Sequence, residues 1–137
     1  MTDIEKAKQN LDGHTICLCR DGECLYSDKH GIAPMMGFIL DGVDLKCYSV
    51  ADIVVGKAAA LLFVKCGIKA VYAKTLSRLA EEVLIRHGIA YECETLVDRI
   101  INRDGTDICP MEKTVINIDD PDEAYAALKA KLVAMRA

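Results

Sequence analysis

The chain has no Trp, two Phe, three Pro and three His in 137 residues, and no Cys-x-x-Cys pair among its seven cysteines. The missing Cys-x-x-Cys spacing excludes the usual redox motif and the zinc knuckle. An excess of positive charge is also lacking, because 17 basic residues face 21 acidic ones. That balance speaks against nucleic-acid binding by phosphate neutralisation. No apolar run is longer than Ala58 to Val64, far short of a membrane span. The opening residues Met1 to Lys6 carry no apolar leader, so a cytoplasmic chain is expected, with neither membrane nor nucleic acid as partner.

What is present is a strongly apolar chain, 52% hydrophobic and 28% charged. Such a composition buries a core rather than staying disordered. The length suits one domain over residues 1–137, with a radius of gyration of about 14 Å.

Punctuation along the chain divides it into short elements. Asp3 to Leu11 reads as a helix stopped by Asp12-Gly13. Thr15–Arg20 and Glu23–Ser27 read as strands joined at Asp21-Gly22, a strong hairpin signal. A helix is expected near Pro34–Leu40, with Pro in its first turn, and a third strand over Leu45–Val50. Two copies of one pattern follow. A helix over Val54–Cys66, Gly67 and a strand over Ile68–Ala73 form the first. A helix over Ser77–His87, Gly88 and a strand over Ile89–Cys93 form the second. Repeated helix-Gly-strand units imply parallel strands linked by right-handed crossovers. A polar loop over Asp98–Asp107 then precedes helices opening at Cys109-Pro110 and Asp120-Pro121. The expected fold is a three-layer α/β/α domain with a mixed sheet, an N-terminal hairpin and parallel strands.

Several residues have both a functional and a structural reading. Lys57 follows Gly56 at a helix start, where a cation opposes the macrodipole. Helix start, Gly and Lys together suit a phosphate or carboxylate; the alternative is a salt bridge to Asp52 or another acid at the core edge. Ser77 is a helix N-cap that could also help to hold an anion. Asn102 and Arg103 lie in the polar Asn-Arg-Asp-Gly loop, where an Arg fork suits phosphate, or where an ordinary turn leaves the Arg solvated. Cys109 precedes Pro110 at a helix start that can favour the thiolate, with Arg103 as an aid, and Glu112 is placed to bond back to the Cys109 amide. As a nucleophile Cys109 would want a His base. Spacing puts none of His14, His30 and His87 beside it. Cys17 and Cys19 read as small apolar residues on one face of a strand, and a disulfide is not called for in a cytosolic chain. An irregular metal site from His14, Cys17, Cys19 and Cys24 is the alternative.

Two stretches carry a family resemblance. These are Ser49-Val50-Ala51-Asp52-Ile53-Val54-Val55-Gly56-Lys57-Ala58-Ala59-Ala60, and Ile101-Asn102-Arg103-Asp104-Gly105 with Cys109-Pro110-Met111-Glu112. In them the chain resembles the domain-of-unknown-function family numbered eighteen-ninety-three, small prokaryotic proteins. The resemblance implies a cytidine-deaminase-like fold and no particular reaction. Zinc deaminases carry His/Cys-x-Glu at one helix start and Pro-Cys-x-x-Cys at a second, so that three ligands hold zinc and the Glu moves protons. Here the corresponding starts read Gly56-Lys57-Ala58-Ala59 and Leu76-Ser77-Arg78-Leu79-Ala80. Neither contains a Cys, a His or the Glu, so zinc deamination is not expected, and no metal or cofactor is assigned. The reading that follows is a zinc-free binding domain for a nucleotide or other anionic small molecule. Lys57, Ser77, Asn102, Arg103, Cys109 and Glu112 would line its site. An enzyme using Cys109 or Lys57, and a structural or regulatory homo-oligomer, are the alternatives.

Overall fold

The hairpin behaves as its turn residues require. In a computed structural model that describes residues 1–102 and 104–136, Asp21 and Gly22 both take positive φ, 51° and 87°. That is the backbone of a tight hairpin turn with the twist of its strands. β1 (Ile16–Arg20) and β2 (Glu23–Ser27) therefore pair with Arg20 opposite Glu23 and Cys19 opposite Cys24.

α1 (Asp3–Asn10) precedes the hairpin and α2 (Ala33–Leu40) follows it. Then come β3 (Ser49–Val55), α3 (Lys57–Cys66), β4 (Ala70–Ser77), α4 (Arg78–Arg86) and β5 (Ala90–Val97). α5 (Pro110–Val115) and α6 (Pro121–Arg136) close the chain. The sheet order is β2-β1-β3-β4-β5, with β1 antiparallel to both neighbours and β3, β4 and β5 parallel. It is the expected mixed α/β sheet.

The layers are unequal. Ile16 and Leu18 of β1, Val50 of β3 and Val71 of β4 face a core completed by α2 to α6, with Leu61, Leu62, Phe63, Leu84 and Leu128 buried in it. Their neighbours Cys17, Cys19, Ala51 and Tyr72 point to the other face, where α1 covers them with Ala7 and Leu11. This follows the period-2 alternation of strands.

The third strand lies later than its apolar composition suggests. Leu45 is buried in the connection before β3, and β3 runs on through Ile53, Val54 and Val55 to Gly56. Those three β-branched residues favour the pleated conformation over a helix, and Val54 and Val55 pair with Thr75 and Leu76 of β4. α3 thus begins at Lys57, not Val54. β4 and β5 each run four residues past their expected ends at Ala73 and Cys93 (77 − 73 and 97 − 93), because polar residues such as Lys74 and Glu94 alternate outward there. No helix among the described residues is long and apolar enough to cross a membrane.

Candidate functional site

The N-terminus of α3 is the centre of the site. Gly56 precedes the helix in extended conformation and offers no side-chain cap. The first amides of a helix need acceptors from outside it. Here Glu112 of α5 supplies them. Its Oε1 accepts from the Lys57 amide at 2.7 Å and its Oε2 from the Ala58 amide at 2.8 Å. The carboxylate thus fills the anion position that the helix start offers. Gly56 is required for this approach, since a Cβ there would lie 2.3 Å from Oε1. Burial pushes the Glu112 carboxyl up, against the two amides and the Lys57 charge, which pull it down.

Lys57 turns away from the helix start it opens. Its Nζ donates to the Ile116 carbonyl and meets Asp119 Oδ1, each at 3.1 Å. With a residue exposure of 6%, this ammonium is held as the structural reading requires, by Asp119 rather than Asp52. The expected back-bond from Glu112 to the Cys109 amide is absent. That amide donates to the Ile100 carbonyl at 2.9 Å, and the Glu112 side chain reaches across to α3 instead.

Two clefts flank Glu112. The first, about 320 Å³, is lined by Thr15, His30, Asp52, Gly56, Cys109 and Glu112 among its polar and small residues, with Ile32 and Met111 on its apolar wall. His30 and Cys109 therefore line one cleft, which sequence spacing did not indicate. Asp52 is the residue that sequence reasoning missed as a site group. It is buried at the middle of β3, and burial pushes its carboxyl up to about 8, even though the Ile53 and Val54 amides favour the charged form. At neutral pH it is mostly the uncharged acid, able to donate as well as accept. An Asp just ahead of a Gly and an apolar helix was the available signal, and it points equally to a salt-bridge partner.

The second cleft, about 480 Å³, lies at the start of α4 and is lined by Ser77, Arg78, Asp98, Arg99, Ile100 and Glu112. Ser77 Oγ accepts from the Ala80 amide at 3.1 Å as a local N-cap. Arg78 Nε pairs with Asp98 at 2.8 Å, and Arg99 is exposed. Ile100 and Glu112 belong to both clefts.

Of the expected site residues, Cys109 and Glu112 meet in the first cleft and Ser77 and Glu112 in the second. Lys57 joins only through its backbone amide. Asn102 lines neither cleft. Its Oδ1 accepts from the Thr106 amide at 3.1 Å, inside a small loop closed by the Ile101–Ile108 bridge. Arg103 lies outside the described residues. One group of described side chains has a metal-ligand arrangement, Cys17, Cys19 and Cys24 under α1, apart from both clefts. His14 is not part of that group, and its Nδ1 is bonded to Asp28 at 2.8 Å. Cys19 and Cys24 form a disulfide that the sequence reading did not expect; the two-residue turn makes them direct cross-strand partners with Cα atoms 4.2 Å apart.

Comparison with known proteins adds a family and a fold. The family model described as "TM1506: Domain of unknown function (DUF1893)" matches residues 6–132. The crystal structure of a DUF1893 family protein (TM1506) from Thermotoga maritima superposes with a TM-score of 0.85 at 22% identity, covering 96% of this chain and 91% of that one. At that identity the likeness concerns the fold alone. No curated protein matches the sequence significantly.

Proposed function

The chain belongs to the DUF1893 family, a domain of unknown function, and on that premise we propose that it is a zinc-free, cytidine-deaminase-like domain that binds a nucleotide across the two clefts joined at Glu112. The deaminase-like part of the reading is supported by the sheet itself: a hairpin followed by two helix–strand units, in the order β2-β1-β3-β4-β5. Binding at the carboxyl edge of parallel strands is where α/β sheets generally hold ligands.

The observation that carries the reading is the position of Glu112, buried between a carboxyl-lined cleft and an arginine-flanked one. Glu112 occupies the start of α3, so a phosphate has no place there. It fits instead beside Arg78, Arg99 and the first amides of α4. The cleft with Asp52, Glu112 and Thr15 suits a planar group rich in N–H donors and acceptors, held against Ile32 and Met111. A nucleotide has both ends, and the reading moves its phosphate from Lys57 to Arg99.

Thermal shift measurements test this with nucleoside monophosphates, the matching nucleosides and inorganic phosphate. A ligand at about 100 times its Kd stabilises by about 2.7 kcal/mol. At least one monophosphate is expected to raise Tm by several degrees, its nucleoside by less and phosphate by less still. Arg99→Ala is expected to remove the advantage of the phosphate and leave the nucleoside response. No response to any nucleotide or nucleoside at millimolar concentration would overturn the proposal.

A further inference from the structure

A second concentration of reactive side chains lies under α1, and neither cleft uses it. Cys17 and Cys19 alternate with Ile16 and Leu18 along β1, so both sulfurs face α1 and both residues are 0% exposed. The hairpin register adds Cys24 from β2, half-buried on the edge strand. The three sulfurs all lie within 4.8 Å of one another, with Cys17 Sγ 3.7 Å from Cys19 Sγ. Around them are the apolar side chains of Ala7, Leu11 and Ala51. The Lys6 Nζ, bonded to the Gly22 carbonyl at 2.6 Å, places a positive charge at the turn of the same hairpin.

With the Cys19–Cys24 disulfide reduced, this is a three-donor set made wholly of sulfur. Thiolates select soft ions such as Cu(I) and zinc. Zinc in structural sites takes four ligands, and the fourth residue suggested by spacing, His14, is not among the side chains gathered here. A three-coordinate ion at the usual metal–sulfur distance of about 2.3 Å spreads its sulfurs about 4 Å apart. Cys17 and Cys19 already have nearly that separation. Among the described residues no second group of three such ligand side chains lies this close together.

We propose that the reduced chain binds one Cu(I) ion through Cys17, Cys19 and Cys24, and that the Cys19–Cys24 disulfide closes the site. Opening it takes a dithiol or phosphine reductant. The S–S bond breaks, each sulfur gains one electron and one proton, and the reductant is oxidised by two electrons. The ion then replaces thiol protons, which leave to water. Cys24, half-buried at the sheet edge, is the ligand with room to swing away from Cys19.

The test uses the full chain, reduced with a phosphine or left as the disulfide, and titrated with Cu(I) against a chromogenic Cu(I) chelator. Copper per chain and the thiolate-to-copper absorption in the near ultraviolet are read. One copper per reduced chain is expected, with retention lower by about tenfold or more in the disulfide form and in Cys24→Ser. Cys17→Ala is expected to lose retention likewise, while Cys47→Ser, on an exposed cysteine, is unchanged. Cys24 is the safer variant for folding, because it is not fully buried. Equal retention by the disulfide form or by Cys24→Ser would overturn the proposal. So would zinc uptake as tight as that of Cu(I), which would require a fourth ligand.

Discussion

The passage from the middle of β3 into α3 holds Asp52, Gly56 and Lys57; the passage from the middle of β4 into α4 holds Ala73, Ser77 and Arg78. The parallel register pairs Asp52 with Ala73, and in both passages the helix N-cap comes four residues later. The two helices are nevertheless capped in different ways. α4 is capped from within, by Ser77 Oγ on the Ala80 amide three residues on. α3 is capped by Glu112, 55 residues from Lys57. One passage exposes its Arg78 and holds a small Ala73; the other buries Lys57 and an uncharged Asp52. A helix start closed by its own Ser can form as soon as the helix does. One closed by a distant carboxylate needs the sheet, α3 and α5 together, and it brings a buried acid to the edge where a ligand would enter.

Breaking the long-range cap has the largest expected effect. Glu112→Ala leaves the Lys57 and Ala58 amides without their acceptor and is expected to cost about 2–4 kcal/mol, read by urea denaturation. A second substitution makes the comparison sharper. Gly56→Ser alone pushes a Cβ into the carboxylate and is expected to destabilise by about 1–3 kcal/mol. In the Glu112→Ala background the same change supplies a local cap like that of Ser77, and it becomes neutral or stabilising. This change of sign is the signature of the coupling; additive effects would show that Glu112 does not cap α3.

The contrast also decides what the sequence shows. Ser77, the Asp21-Gly22 turn, the Gly stops of α3 and α4 and the alternation of β1 all act within a few residues. Each was readable, and with them the hairpin, both helix–strand units and the mixed sheet. The partner of Glu112 was not readable, because a capping carboxylate three residues after Cys109 has a local use that looks equally good. Asp52 was hidden for a similar reason. Its ionisation is set by burial, which follows from how Ile32, Met111 and α3 enclose the cleft and not from its neighbours in sequence. Asn102 shows the opposite case: its loop reads as a site, and in the structure its side-chain oxygen accepts locally from the Thr106 amide.

Asp52 against Ala73 gives the next prediction. The carboxyl is raised from an ordinary 3.8 to about 8 by burial. The unfolded chain therefore loses this proton as pH passes about 4, while the folded chain keeps it to about 8. Stability contributed by Asp52 is complete below that window, declines as pH rises through it, and is flat above. Glu112, also pushed up by burial, adds to the same slope. Asp52→Asn is expected to flatten the decline, with little change in Tm at pH 5 and a gain of several degrees at pH 8, seen by calorimetry. A constant difference across that range would show that Asp52 is charged in the folded chain.

The smallest effect belongs to the turn that is closed locally. Ser77→Ala removes one hydroxyl acceptor and leaves the Ala80 amide at a buried helix start. Caps of this kind are worth about 1 kcal/mol, so the loss should be about half that of Glu112→Ala or less. The bond joins only Ser77, the last residue of β4, to Ala80 of α4, so Ser77→Ala should lower stability by the same amount whether position 112 is Glu or Ala, if the two caps are independent. Glu112 also lines the cleft in front of Ser77, and a ligand phosphate there would tie the two together. The double variant should therefore be additive in the ligand-free chain and lose additivity when a nucleotide is bound. Additivity that survives ligand binding would leave the two helix starts as separate devices and place the phosphate elsewhere.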